Sequence, residues 1–153
     1  MPESVLLDVP LGYADSRLSP LERRLLLHLA HGVPRGALTS AENLTLAVVD
    51  RHLTALYAVL GAESATAAVI AGHVQGLLPR ERYRAPGLPA GLQSVLDLVG
   101  QRLSDREIGA RLGLTHSVAR RPVEAVYAEL GASNRPSACH IAYCTGLLGR
   151  DLT

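Results

Sequence analysis

The sequence predicts an all-α protein built of two four-helix units in tandem. Its apolar residues recur with the spacing of helices, and no segment alternates apolar and polar residues as a half-buried strand would. The chain also resembles itself, because "LTLAVVDRHLTALYAVLGA" from Leu44 aligns without a gap on "LTHSVARRPVEAVYAELGA" from Leu114. The same alignment places the Gly-Leu-Leu triplet at 76–78 on that at 146–148. An ungapped match of this length indicates two copies of one structural unit.

The composition allows a sizeable core and gives the chain little electrostatic bias. A chain of 153 residues can bury such a core if its two units pack together. Phe and Trp are absent, so the core must consist of Leu, Val, Ile and Ala. All 15 basic residues are arginines, and the formal net charge is only +1, a weak signal for a nucleic-acid-binding protein.

The cysteines and the N-terminal segment indicate the cellular compartment of the protein. Cys139 and Cys144 fit no disulfide framework, which favours a reducing compartment. The stretch "MPESVLLDVPLGYADSR" has no basic segment followed by an apolar run, and no uncharged apolar run is long enough to cross a bilayer. We therefore expect a soluble, cytoplasmic protein that does not associate with membranes.

The repeat divides the chain into five segments. Residues 1–17 form an N-terminal arm, 18–78 the first unit, 79–87 a linker, 88–148 the second unit and 149–153 a tail. The connecting stretch "PRERYRAPGLP" is charged and rich in Pro and Gly, as is typical of a linker.

Helix signals in the first unit predict its four helices in order. The stretch Ser19-Pro20-Leu21-Glu22 is a capping box with Pro at the first helical position, and Gly32 ends this helix. The second helix is doubtful, because "VPRGALTSAEN" mixes Pro, Gly, Thr and Ser. Thr45 caps the third helix, Gly61 ends it, and Ser64 opens the fourth. Small residues in the fourth helix predict a close helix–helix approach: Ala67, Ala68, Ala71 and Gly72.

The second unit repeats this pattern with a clearer second helix. Ser104 and Glu107 form its capping box, and Gly113 ends it. Ile108 and Leu112 are its expected core positions.

Both units resemble one known family. The stretch "LSDREIGARLGLTHSVARR…VYAELGASNRPSA" resembles the LuxR-type (GerE-like) helix-turn-helix domain, and "LSPLERRLLLHLAHG…VVDRHLTALYAVLGAESATAAVIAGHVQGLL" resembles a second copy. The resemblance covers about residues 18–78 and 88–148. It implies a third helix in the DNA major groove, a second helix across the backbone and a fourth helix at the dimer contact. Two copies in one chain imply a built-in pseudo-dimer, and the fourth helices are also where a homodimer would form.

Carried over by position, the resemblance implies DNA contacts on the second and third helices. They are Arg120, Arg121, Glu124, Arg106 and Arg111 in the second unit, and Arg51 and Thr54 in the first. The planar guanidinium of arginine suits guanine or phosphate. The first unit departs from the family at Asp50, where a basic residue is usual, and at Glu42, where the family has leucine. We therefore expect this unit to retain its fold more readily than its DNA contacts.

Pro122 interrupts the third helix of the second unit. If that helix begins at Thr115, the proline removes the hydrogen bond to the Val118 carbonyl and clashes there, at a cost of about 3 kcal/mol. Alternatively, "RPVE" is a fresh helix start with Pro122 at its first position. In either case, sequence reading by this helix is impaired, whereas backbone binding by Arg120 and Arg121 remains open.

Other chemistry-bearing residues have simpler interpretations. Cys139, His140 and Cys144 lie on a predicted helix with apolar neighbours, which favours buried thiols over a metal site. His28 and His31 share a helical face but have no cysteine or carboxylate pattern beside them, so we expect neither a metal nor another cofactor. Tyr57 and Tyr127 occupy equivalent positions and are expected to pack against other helices.

Three functions remain open from the sequence. The first is a small transcriptional regulator that binds double-stranded DNA through its tandem units. The second is a diverged scaffold without DNA binding that recruits a protein partner. The third is a small-molecule-binding or catalytic body, although the chain has no nucleophile elbow, phosphate-binding Gly loop or metal-ligand spacing.

Overall fold

The computed structural model describes residues 18–84 and 87–149, without the side chain of His116. Over these residues the chain forms eight α-helices and no strand, which confirms the all-α prediction. The helices are α1 Pro20–Ala30, α2 Leu38–Glu42, α3 Leu46–Leu60, α4 Ala65–Val74, α5 Ala90–Gly100, α6 Asp105–Leu112, α7 His116–Leu130 and α8 Arg135–Thr145. The predicted N-terminal arm, and the tail beyond residue 149, lie outside the described residues.

The helices of the two halves correspond in the alignment of the sequence repeat. Helices α1 and α3 begin and end at the positions that align with the ends of α5 and α7, and the start of α4 aligns with the start of α8. Two halves of similar sequence thus have the same order of helices with nearly the same bounds.

Side-chain caps begin the helices where the sequence predicts. Ser19 Oγ accepts from the Glu22 N–H, and the Glu22 carboxylate accepts from the Ser19 N–H. Ser104 and Glu107 form the same reciprocal pair at α6. The hydroxyl of Ser64 accepts from the Ala67 N–H at the start of α4. These local bonds satisfy backbone donors that no helical carbonyl can reach.

The second helix of the first half is short, as its mixed composition suggests. A 3₁₀ turn at Arg35–Ala37 and the five-residue α2 together replace the eight-residue α6 of the second half. Neither piece has a side-chain cap, and α2 ends at Asn43 in the left-handed conformation with φ of 55°. The missing caps, together with Pro34 and Gly36, account for the tighter first turn.

One continuous hydrophobic core runs through both halves. It contains Leu, Val, Ile and Ala as expected, with Tyr57 and Tyr127 partly buried against it. Ile108 of α6 is fully buried, but Leu112 is 36 % exposed, so its expected core position is wrong. Helix α7 crosses α6 near Gly109, and Leu112, the last residue of α6, lies beyond this contact.

The two halves meet chiefly where α4 packs along α8, and α8 also contacts α1. Small side chains allow this approach, because Ala67 and Ala68 of α4 and Ala138 and Ala142 of α8 are buried. The close helix–helix contact predicted for the fourth helix of the first unit is therefore present. We call this α4–α8 contact the seam.

No single helix in the described part of the chain is long and apolar enough to cross a membrane. Helices α3 and α4 meet the length and composition only as a pair, and they are bent by 45° at their junction.

Candidate functional site

A short turn joins α6 to α7 and fixes their relative position. Gly113 ends α6 in the left-handed conformation with φ of 72°, and the Leu114 N–H donates to the Gly109 carbonyl at 2.7 Å. A Cβ placed on Gly109 would lie 3.0 Å from the Ala119 Cβ and 3.0 Å from the Leu114 carbonyl oxygen. The two helices therefore approach each other more closely at Gly109 than a residue with a Cβ would allow without a shift of its neighbours.

The arginines expected to contact DNA are exposed on these two helices. Arg106 and Arg111 lie on α6, and Arg120 and Arg121 lie on α7. Arg120 lies 3.8 Å from the exposed carboxylate of Glu124, one helical turn away, and each side chain is 64 % exposed. An exposed pair of this length contributes little stability, so it holds the Arg120 guanidinium only weakly.

Pro122 lies inside α7, which runs without interruption from His116 to Leu130. The first alternative from the sequence is thus the observed one, and a fresh helix start at the proline is not. Pro122 is the seventh residue of the helix and cannot donate to the Val118 carbonyl. It lies between exposed Arg121 and buried Val123, at the border of the arginine surface.

In the first half, the matching surface is occupied by an ion pair. Asp50 accepts from Arg35 Nε at 2.6 Å and from Arg35 Nη2 at 2.7 Å, a two-point contact. The hydrogen bond from Arg35 lowers the pKa of Asp50. Arg51 and Thr54 are exposed beside this pair, and the Thr54 hydroxyl donates to the Asp50 carbonyl. The Arg35 charge is therefore engaged within the protein.

Glu42, at a position where the LuxR-type resemblance implies a leucine, ties α2 to α1. Its carboxylate, 10 % exposed, accepts from Arg24 Nε at 3.0 Å and lies 2.9 Å from His28 Nε2. Burial by itself would raise the pKa of Glu42, but the hydrogen bonds from His28 and Arg24 outweigh it and hold the pKa below its usual value. Polar contacts from Arg24 and His28 to Glu42 thus hold α2 against α1, where a leucine would do so by apolar packing.

A second group of polar side chains lies at the seam, where the sequence analysis expected no functional site. Its members come from the C-terminal cap of α1, from α4, from the connecting segment and from α8: His31, His73, Glu81, His140 and Cys144. We call these five residues the seam cluster. His140 is fully buried at its centre.

Hydrogen bonds connect the seam cluster as a chain. His140 Nε2 and His31 Nε2 each lie 2.6 Å from Glu81 Oε1, and His140 Nδ1 lies 2.8 Å from His73 Nε2. Burial would raise the pKa of Glu81, but the hydrogen bonds from His31 and His140 hold it below its usual value. An ionised carboxylate can only accept, so His140 Nε2 carries a proton. In a neutral ring Nδ1 is then an acceptor, and His73 Nε2 donates to it.

Burial disfavours the charged forms of His73 and His140, the two central histidines. Burial, together with the neighbouring His140, lowers the pKa of His73 to about 3. Burial also lowers the pKa of His140, although the Glu81 carboxylate opposes the shift. Both rings therefore offer the uncharged imidazole that hydrogen-bond chains and metal ions require.

The two cysteines have different surroundings. Cys139 is fully buried, and burial raises the pKa of its thiol to about 12, in agreement with the predicted buried thiol. Cys144 is only half-buried, and its Sγ lies 3.7 Å from both ring nitrogens of His140. It therefore belongs to the seam cluster and not to the apolar core.

The sequence carried only one signal for the seam cluster, the four-residue spacing of His140 and Cys144. The carboxylates beside His28 and His31, which sequence reasoning did not find, are Glu42 and Glu81. They lie 14 and 50 residues away along the chain, and folding alone brings them together.

Comparison with known proteins gives no significant match to a protein-family model, a curated protein or a solved structure.

Proposed function

We propose that the protein is a DNA-binding transcriptional regulator of the cytoplasm whose second half contacts the duplex. The observation that carries the proposal is the α6–α7 arrangement. A tight turn with a left-handed glycine joins the short helix α6 to the longer helix α7. The two helices pack so closely that a Cβ placed on Gly109 would lie 3.0 Å from the Ala119 Cβ. Helix-turn-helix motifs share this geometry, and their second helix enters the major groove.

The charge on this motif supports binding to the phosphate backbone. Four exposed arginines lie on it, at positions where the family resemblance implies DNA contacts: Arg106, Arg111, Arg120 and Arg121. Arginine and phosphate form charge-assisted hydrogen bonds, which position a protein on a duplex without reading its sequence. Pro122 limits base reading, so the proposed binding depends mainly on the backbone.

The first half has a different proposed role. Its Asp50–Arg35 pair presents a carboxylate where the second half presents Arg120, so we propose that this half retains the fold without the DNA contacts. The seam joins α4 to α8, the fourth helices of the two units, which supports a pseudo-dimer within one chain.

Fluorescence anisotropy with mixed-sequence duplex DNA tests the proposal. Binding should be detectable at low salt and should weaken steeply as salt rises, because arginines that neutralise phosphates release counterions. Absence of binding even at low salt would contradict the proposal.

A double variant and its matched control locate the interface. Arg120→Ala with Arg121→Ala should weaken binding and reduce the slope of log K against log salt by about 1 to 2. The control, Arg82→Ala with Arg84→Ala, removes the same charge from exposed positions in the connecting segment. If both pairs weaken binding equally, only net charge matters and the α7 surface is not the interface.

One observation favours a second function, a scaffold that binds a protein partner. Leu112, Leu114 and Val118 are 36 %, 38 % and 42 % exposed around the α6–α7 turn. If the protein does not bind DNA at low salt, this apolar surface becomes the first region to test for partner binding.

A further inference from the structure

We propose that His73, His140 and Cys144 form a binding site for a zinc-like divalent ion across the seam. The three residues come from two helices: His73 from α4 of the first half, and His140 and Cys144 from α8 of the second. Their ligand atoms all lie within 4.8 Å of one another. The site is independent of the DNA-binding proposal, since none of its residues lies on α6 or α7.

The spacing along α8 suits chelation by one helix. His140 and Cys144 are four residues apart, so their side chains project from the same face of the helix. A tetrahedral zinc ion holds a nitrogen and a sulfur ligand about 3.6 Å apart. Cys144 Sγ lies 3.7 Å from His140 Nδ1, close to this separation, but it lies equally 3.7 Å from Nε2, so the Cys144 side chain must rotate toward the Nδ1 side when the metal binds.

His73 completes the donor set from the opposite side of the seam. Its Nε2 lies 2.8 Å from His140 Nδ1, a hydrogen-bond distance. Two nitrogen ligands of a tetrahedral zinc ion lie about 3.3 Å apart, so metal binding requires an opening of about half an ångström. The Tyr143 ring stacks on the His73 ring, with 4.9 Å between the ring centroids and an angle of 6° between the ring planes. This stacking keeps the imidazole plane oriented during that movement.

The surroundings of His140 are those of a metal ligand. A ligating histidine commonly donates its other ring N–H to a carboxylate, which fixes its tautomer and strengthens it as a donor. His140 Nε2 makes this contact with Glu81 Oε1 at 2.6 Å, and Nδ1 faces His73 Nε2 at 2.8 Å, with Cys144 Sγ 3.7 Å away. On binding, the thiol proton of Cys144 passes to solvent and the His73 proton moves from Nε2 to Nδ1.

The alternative triad of the seam cluster fits a metal less well. His31, Glu81 and His140 also have ligand atoms within 4.8 Å. However, His31 Nε2 and His140 Nε2 each lie 2.6 Å from Glu81 Oε1. Metal binding would have to lengthen each of these distances by more than it lengthens the distance between His73 and His140. Glu81 acts instead as the carboxylate that orients the ligating histidine.

The donor chemistry selects the class of ion. Two imidazoles and one thiolate are borderline-soft ligands that suit zinc and disfavour magnesium or calcium. Three protein ligands leave a fourth position for water or an exogenous ligand. The ion would also join the two halves, so binding should stabilise the folded chain.

Cobalt titration of untagged, chelator-treated protein tests the site. We expect one equivalent of Co²⁺ to bind, with the sulfur-to-cobalt charge-transfer band and the strong visible bands of tetrahedral coordination, and Zn²⁺ to displace it. The Tm should rise until one equivalent of metal is present. No stoichiometric binding, or binding without the sulfur band, would overturn the proposal.

Three variants test Cys144 as the sulfur ligand and exclude Cys139 and His31 as ligands. Cys144→Ser should lose the sulfur band and at least tenfold in affinity, whereas Cys139→Ser, the control at the other cysteine, should retain both. His31→Gln should also retain the sulfur band, because His31 is not a ligand. Far-UV circular dichroism shows whether each variant is folded, and Cys139→Ala replaces the control if the serine is not tolerated. A sulfur band that survives Cys144→Ser, or metal binding that is lost in His31→Gln, would refute the assignment.

Discussion

Replacement of Pro122 by histidine should stabilise the protein. Pro122 is the seventh residue of α7, beyond the first turn where proline is tolerated. The substitution restores an N–H donor to the Val118 carbonyl and removes the ring clash with it. Proline in a helix interior costs about 3 kcal/mol relative to a good helix former, and histidine recovers most of this. We expect a gain of about 1 to 3 kcal/mol in the free energy of unfolding.

The repeat supplies the matched control for this substitution. His52 aligns with Pro122 in the repeat, lies in the corresponding helix α3, and is likewise partly buried. Histidine is therefore already accommodated at this position of the unit. The reverse change, His52→Pro, should cost about 3 kcal/mol.

Urea unfolding and thermal unfolding, both followed by circular dichroism, measure the stability of both variants. For a chain of this size, 1 kcal/mol corresponds to about 2 to 4 °C in Tm, so Pro122→His should raise the Tm by about 2 to 12 °C. An unchanged m-value would show that the substitution acts on stability alone. Loss of stability in Pro122→His would refute the reasoning, because it would mean that the proline begins a helix in solution.

Three further predictions concern the close contact, the buried carboxylate and the first-half surface. Gly109→Ala should destabilise by about 1 to 3 kcal/mol in urea unfolding, because its Cβ meets backbone of the α6–α7 turn at 3.0 Å, whereas Gly91→Ala has open space and should be nearly neutral. The folded-state pKa of Glu42 is lowered, so its stabilisation is present above the unfolded value near 4.5 and is lost as pH falls through the folded value. Glu42→Gln should therefore lower stability by about 1 kcal/mol at pH 7 and by progressively less as the pH falls below 4.5. The control at pH 7, exposed Glu63→Gln, should leave stability nearly unchanged. Asp50→Arg should strengthen DNA binding in the anisotropy assay, and unchanged affinity would exclude the first-half surface from the interface.

The local structure of this protein was readable from its sequence. Capping boxes at Ser19 and Ser104, and the glycine stops at Gly61 and Gly113, depend on residues within one turn of each other. The internal repeat carried the same helix order into both halves. Leu112 was misassigned because helical spacing shows which face is apolar but not where a crossing helix ends its contact.

Only the tertiary structure decided what lies between the halves. His31, His73, Glu81 and His140 come from well-separated points of the chain, and each alone has the pattern of an ordinary surface or core residue. The packing of α4 on α8 and the return of the connecting segment place them in one hydrogen-bonded chain. By itself the sequence determined the helices and their caps, because these depend on near neighbours, and its internal similarity predicted the same helix order in both halves. The seam cluster depends on how the two halves of the chain pack together, and contacts between distant residues leave no periodic signal in the sequence.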